Sequence, residues 1–544
     1  MDRRRFLQTS AGGAAVAALW PFGMSRAGSG TTNTPDSPAG IPLGVAFDPA
    51  PFSLGVASGD PLADAVILWT RLAPSPLAGD GPLPETVEVS WTIALDPDLN
   101  LVVRQGTTAA VVRSAHSVHV DVDGLEPATT YYYRFSALGA TSRLGRARTA
   151  PIGSVDHLRF AFVSCQDFQA GSYASYRALA GEDLDFVLHL GDYIYEYAAD
   201  PGAYRSHIGG ETTTLDDYRN RYALYKGDPA LRDAHAAFTW ICTWDDHEVV
   251  NNYAGTSPPG APAGPEFDAR RANGYQAWYE HLPVRLPGGA QASAGSFPIH
   301  RRFQLGDLLD LSVLDTRQYR SDQPCGDATG NCAGSLDPNA TMLGAHQEAW
   351  LLDNLSTSTA AWRGVAQQVM MAQLKLGGLP DRFRLPEALG GLRQAGEGIT
   401  VNHDQWDGYA TPRRRLLSHL ADNAIPDVVV LTGDIHSHWV ADLKVDFDAH
   451  LSPVVATEFV GSSITSTGFP KGSNLAMQSL VPLTNPHIRF VEGERHGYAI
   501  ADVTPERWET TFRTVGDISN PTSPVADLAG FRVMRGRPRA IRVR

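Results

Sequence analysis

The stretch Pro426-Asp427-Val428-Val429-Val430-Leu431-Thr432-Gly433-Asp434-Ile435-His436-Ser437-His438-Trp439 ends an apolar run with a carboxylate and two imidazoles at alternate positions. In extended chain, residues i, i+2 and i+4 point to one side. Asp434, His436 and His438 are therefore expected to share a face just past a strand end. Burying such groups is costly unless they are paired or bind a metal. Three further clusters follow apolar runs: Ser164-Cys165-Gln166-Asp167, Gly191-Asp192-Tyr193-Ile194-Tyr195-Glu196, and Trp244-Asp245-Asp246-His247-Glu248 with Asn251 and Asn252 beyond it. Taken singly, each has a plain structural reading. An Asp after Gly caps a turn or helix, a lone Cys fills core space, and His189 reads as a core residue. Four such clusters at strand ends of one region instead suggest a dinuclear hydrolytic site. There a carboxylate bridges two metals and a nearby imidazole protonates the leaving oxygen.

The elements that must position these groups are legible as two textures. Residues 45–150 alternate in short strand-like runs separated by turn residues, the pattern of a β-sandwich. After about 151, apolar strands alternate with helical stretches at Leu215–Leu231, Ala269–His281, Ala345–Thr357 and Arg413–Asn423. That alternation predicts a layered α/β domain over 151–520, with functional groups beyond the carboxyl ends of its strands. Residues 521–544 are basic and read as a C-terminal tail, either flexible or folded back over an acidic site.

The chain has 544 residues and a formal net charge of −14. Its length predicts two or more domains, and its charge argues against a nucleic-acid-binding surface. No apolar run beyond the N-terminus is long enough to span a bilayer. Residues 1–27 read as an export signal. Arg3-Arg4-Arg5-Phe6-Leu7-Gln8 followed by a mildly apolar, small-residue stretch fits the twin-arginine route, and 28–44 reads as a linker. The expected location is thus periplasmic or extracellular, with the twin-arginine machinery as a partner. In an exported chain, Cys325 and Cys332 read as a loop-closing disulfide. Cys242 reads as a buried thiol.

The blocks "GD" at 191–192, "DHE" at 246–248 and "GDIH" at 433–436 resemble the signatures of the calcineurin-like, purple-acid-type metallophosphoesterases. More narrowly, "SCQ", "HLGDYIYE", "WDDHEVVNN", "LDTRQYR", "DQWDGY" and "TEFVGSSITS" resemble the alkaline phosphatase D (PhoD) family over about 45–515. The resemblance implies a four-layer α/β/β/α sandwich preceded by a fibronectin-III-like β-sandwich. It implies Fe(3+) held by Cys165, Asp192, Tyr195 and His436, and Ca(2+) held by Asp246 and Asp434, with Asp192 bridging. It further implies His247 as general acid and Arg317 as a bidentate cation on the phosphate. Asn252 and Asp245 are groups behind the ligands or on the calcium side, and His438 is a contact behind them or an alternative ligand competing with His436. The segment Arg495-His496-Gly497-Tyr498 departs from the family pattern.

The expected activity is an exported alkaline phosphatase with phosphodiesterase activity, acting on phosphate mono- and diesters by in-line attack of a metal-bound hydroxide. A phospholipase D-type phosphodiesterase is the alternative within the class. A catalytically inactive cell-wall or calcium-binding protein is the alternative outside it.

Overall fold

The computed structural model describes residues 42–77, 81–286, 297–376, 398–449 and 451–544. The expected signal 1–27 and linker residues 28–41 lie outside them. Two large sheets pack face to face. The first has ten strands, in the order Arg537–Arg542, Val525–Met534, Arg507–Val515, Gly497–Val503, Leu158–Val163, Phe186–His189, Thr239–Cys242, Val56–Gly59, Val66–Arg71 and Ser117–Val122. The second has seven, in the order Arg301–Leu305, Leu309–Val313, Trp362–Ala366, Val428–Thr432, Val454–Val460, His438–Lys444 and Ile488–Glu492. The central strands of each are parallel, so their carboxyl ends meet at one edge of the sandwich.

Why these runs form central strands follows from their burial on both faces. Phe160, Phe162, Phe186, Leu188 and Ile241 from the first sheet face Leu309, Leu311, Val429, Leu431 and Phe459 from the second in one core. Phe160 stacks on Phe186 at 4.5 Å and meets Trp508 edge-on at 5.8 Å, and such contacts add about 0.5–1.5 kcal/mol beyond area burial. The outer face of the first sheet is covered by the helices Ala174–Leu179, Leu215–Lys226, Pro229–Ala237 and Pro265–His281. That of the second is covered by Gly344–Thr357, Ala410–Asp422 and Asn474–Thr484. The layers therefore run α/β/β/α. The helix expected over Leu215–Leu231 is two helices: Gly227 ends the first, Asp228 caps the second through Ala230 and Leu231 N–H, and Pro229 stands at its first turn, where proline costs nothing.

The N-terminal β-sandwich is present, with one difference from the sequence reading. Its second sheet is the strand set Thr86–Ala94, Val102–Val111, Thr130–Ala137, Ala140–Thr141 and Gly145–Arg148. Its first sheet is not separate: Val56–Gly59 pairs in parallel with the catalytic strand Thr239–Cys242, so one sheet runs through both units. At the turn into Thr130–Ala137, Glu126 N–H donates to the Tyr131 hydroxyl at 2.8 Å.

The expected tail over 521–544 is corrected. Val525–Met534 and Arg537–Arg542 are antiparallel strands that extend the first sheet. Alternate residues Phe531 and Val533 are buried against the intersheet core, while Arg532 between them pairs with Glu509 and Arg542 of the last strand lies over the Phe490 ring. The arginines and Pro538 stand on the terminal strand of the sheet, where charge and proline discourage edge-to-edge association.

Candidate metal centre

The four strand-end clusters converge. Ligand atoms of Cys165, Asp192 and His436 lie within 4.8 Å of one another, as do those of Asp192, Asp246 and His247, and those of Asp245, Asp246 and Asp434. Asp192 belongs to two of these groups, as a bridging carboxylate must.

Local backbone geometry turns the side chains inward. Cys165, Asp192, Asp434 and His436 have φ of 58°, 57°, 64° and 51°. This left-handed region costs an L-residue roughly 1–2 kcal/mol, and such residues gather at functional sites. Both Gly-Asp pairs have a steric reason. A Cβ on Gly433 would come within 2.6 Å of Ser164 Oγ, and one on Gly191 within 2.5 Å of the Asp245 Cβ. Gly433 lets loops of the two sheets touch, and Gly191 lets neighbouring loops of the first sheet touch. The alternating-strand reading of Asp434, His436 and His438 is corrected by the same geometry. The strand ends at Thr432, two left-handed residues aim Asp434 and His436, and His438 opens the next strand.

On the thiolate side, the Tyr195 hydroxyl donates to Asp192 at 2.8 Å, accepts from Ser466 at 2.7 Å and lies 3.2 Å from His436 Nε2. His436 Nδ1–H donates to the Thr467 carbonyl at 2.9 Å, which directs Nε2 toward the cluster. Burial, then the Asp192 carboxylate, pushes the Cys165 thiol and the Tyr195 phenol well up. Both would need a cation beside them to ionise.

On the carboxylate side, Asp245, Asp246 and Asp434 surround Arg317, which is fully buried. Its guanidinium grips Asp404 in a fork at 2.7 and 2.8 Å and donates to Asp245 and Asp434. Arg317 was expected to grip the phosphate; here its donors go to carboxylates. Gln405 donates to Asp434. Asn252 N–H donates to Asp246 at 2.5 Å. The Asp245 Oδ2 atom is buried with no hydrogen-bond partner among the described residues.

His247 lies between the two sides. Its Nδ1 is 2.6 Å from Glu196, and its ring stacks on Tyr195 at 4.0 Å. Burial alone would lower its pKa, but Tyr197, Glu196, Asp246 and Asp192 together hold it well above the ordinary histidine value. Glu248 binds three backbone N–H groups, those of Tyr193, Asp192 and Asp245, and so ties the 191–196 loop to the 244–248 loop.

Glu196, Glu248, Asp404, Gln405 and Ser466 carry weight that the sequence reading did not assign. Glu196 and Glu248 sat inside quoted blocks, and Asp404 and Gln405 inside "DQWDGY". Their signal was adjacency to a named ligand or motif. His438 does not join the ligands. It is buried against Phe512 at 4.6 Å, accepts from Ser462 N–H at 3.0 Å, and burial lowers its pKa to about 3. His496 is 2.9 Å from the Ser463 hydroxyl. Cys325 and Cys332 form the expected disulfide, and Cys242 is a buried free thiol. No helix among the described residues is long and apolar enough to cross a membrane.

Both donor sets fit metals. Thiolate, phenolate, imidazole and carboxylate on one side suit a transition ion, and clustered carboxylate oxygens on the other suit a hard cation. The partnerless Asp245 oxygen points the same way, since buried anionic oxygen needs a partner.

Known proteins resemble this chain in sequence and in fold. The family model for the PhoD-like phosphatase matches residues 160–512, and that for the PhoD-like phosphatase N-terminal domain matches 39–151. The chain is 41% identical to alkaline phosphatase D of Bacillus subtilis (strain 168), over 97% of this chain and 87% of that protein. A solved structure of PhoD superposes with a TM-score of 0.84 at 41% identity, covering 92% of this chain and 93% of the other. The purple acid phosphatase PPD1 from yellow lupin (Lupinus luteus) seeds shares the fold at a TM-score of 0.52 and 10% identity, over 88% of this chain and 74% of that one. With both family models matched in order and the strand-end clusters brought to one edge, the chain belongs to the PhoD-like phosphatase family.

Proposed function

We propose that the protein is a metal-dependent phosphoester hydrolase, an alkaline phosphatase with phosphodiesterase activity. Fe(3+) would be held by Cys165, Asp192, Tyr195 and His436, and Ca(2+) by Asp246 and Asp434 with Asp245 beside them. The observation that carries this is the single carboxylate, Asp192, standing between a thiolate–phenolate–imidazole set and a carboxylate set. When bound, the metals supply Lewis-acid activation of water and of the phosphoryl group.

The chain's own residues supply the rest. His247, pinned through Nδ1 by Glu196, presents Nε2 as the donor to the departing oxygen; its surroundings favour the protonated ring. Arg317, steadied by Asp404, offsets part of the negative charge of Asp245 and Asp434. Arg317 thereby acts on the ligands rather than on the ester. Export is supported by the Cys325–Cys332 disulfide, which needs an oxidising compartment, and the twin-arginine route by the run Arg3-Arg4-Arg5-Phe6-Leu7.

The test is metal analysis of protein purified without chelator, alongside hydrolysis of nitrophenyl phosphate and bis-nitrophenyl phosphate. Near-stoichiometric iron and calcium with turnover of both esters is the expected result. Zinc in place of iron would break the ligand assignment, and absence of metal after growth with both supplied would break the hydrolytic reading.

A further inference from the structure

The disulfide closes a short loop whose two sides touch different parts of the molecule. On one side, Gly330 N–H donates to the Thr400 carbonyl at 2.9 Å, and Asn331 Oδ1 accepts from Thr400 N–H at 3.2 Å. On the other, Asp327 accepts from Asn252 Nδ2 at 2.8 Å. Just before the loop, Gln323 Nε2 reaches both the Asn252 carbonyl and Asp404, each at 2.7 Å. Asn252 in turn gives its backbone N–H to Asp246 and holds a left-handed φ of 57°. A chain of direct contacts thus runs from the disulfide loop to a carboxylate of the centre.

An asparagine side chain has one oxygen that can bind a cation and one nitrogen that cannot. The partner of the nitrogen therefore decides which way the oxygen faces. We propose that the Cys325–Cys332 loop is a clip on the carboxylate side of the centre, and that Asp327 is a positioning residue. By holding Asn252 Nδ2, it keeps the carboxamide oxygen on the opposite side of the group, available to a divalent cation beside Asp246. This rests on the reading above that a hard cation binds there. Partners that orient a ligand in this way typically change metal affinity by about 10–100-fold when removed.

The experiment is calorimetric titration of calcium chloride into metal-stripped full-length protein. It compares wild type with D327A, D327N and the C325S/C332S pair, with melting curves of the metal-free proteins as the check on folding. The expected result is a calcium dissociation constant raised about 10-fold in D327A and in the cysteine pair, with most of the affinity regained in D327N, whose carbonyl still accepts from Asn252. Wild-type affinity in D327A would overturn the clip alone. Equal loss in D327N and D327A would overturn it too, because the carboxylate would then be acting by its charge. If wild type itself takes up no calcium, the hard-cation reading falls and the clip with it. Should the cysteine pair fail to fold, the two Asp327 variants still decide the matter.

Discussion

Around Cys165, Tyr195 and His436, side chains are held by one another and by neutral partners such as Ser466 and the Thr467 carbonyl. Around Asp245, Asp246 and Asp434, they are held by a buried guanidinium and by Asp404 behind it. The first side can stay neutral without metal, because its thiol and phenol keep their protons. The second stays ionised only against a cation, since burial raises Asp245 and Asp434 while the guanidinium beside them lowers both. Arg317 is that cation, and it leaves room for more positive charge. One side is thus built to gain charge when metal arrives, and the other to share charge already present.

The residue common to both sides should break the comparison most completely. Asp192→Asn removes the shared anionic oxygen, and loss of several kcal/mol of charge stabilisation corresponds to at least about 10³-fold in kcat/KM. Metal analysis should show both metals depleted. Depletion of one alone would mean that Asp192 serves a single side.

Arg317→Ala tests the carboxylate side by itself. Removing one partner from a buried charge cluster costs about 3–5 kcal/mol, so the metal-free variant should melt well below metal-free wild type. Added calcium should narrow the gap, because it supplies the missing positive charge. A gap that calcium does not change would separate Arg317 from the cation site.

A buried carboxyl with no ion pair among the described residues, which Arg413 reaches only through space, sharpens the contrast. Glu458 accepts from Met371 and Ala372 N–H and from the Thr432 hydroxyl, and burial raises its pKa to about 7 despite these bonds. The folded state then holds a proton that the unfolded state releases above its ordinary value near 4.5. Its contribution to stability is complete below that value and is lost as pH rises through about 7. The shift corresponds to an upper bound of about 3 kcal/mol. Denaturant titrations of the metal-loaded protein across this window should slope downward in wild type and flatten in E458Q. An unchanged slope would assign the effect to other groups.

The layered fold was readable because double-sided burial writes itself as apolar runs, as in Leu158–Val163 and Val428–Thr432. The candidate ligands stood out because Cys165, Asp192, Asp246 and His436 each follow such a run. His438 was misplaced because strand periodicity was carried through Gly433, where the chain in fact turns left-handed at Asp434 and again at His436. The C-terminal strands were missed because their arginines hid the alternation of Phe531 and Val533. The pairing of Arg317 with Asp404 was not readable because the two lie far apart along the chain, and sequence spacing carries no information about a contact of that kind. The joining of the sandwich to the catalytic sheet was invisible for the same reason.

The smallest expected effect concerns the group between the two sides. If His247 is the acid, Glu196 matters by holding Nδ1 so that Nε2 faces the leaving oxygen. Glu196 also accepts from Asn251 N–H at 2.9 Å, so E196Q can satisfy only one of these two donors with its single carbonyl. A misaligned acid should hurt esters whose leaving oxygen needs a proton and spare those that leave as stable anions. We expect kcat on an alkyl phosphate to fall about 10-fold, against the roughly 10²–10⁴-fold that a general acid can supply. Turnover of nitrophenyl phosphate should barely change, and KM should hold for both. Equal losses on the two esters would show that Glu196 supports the loop rather than the proton transfer, and the division between the two metal sides would then have no acid at its boundary.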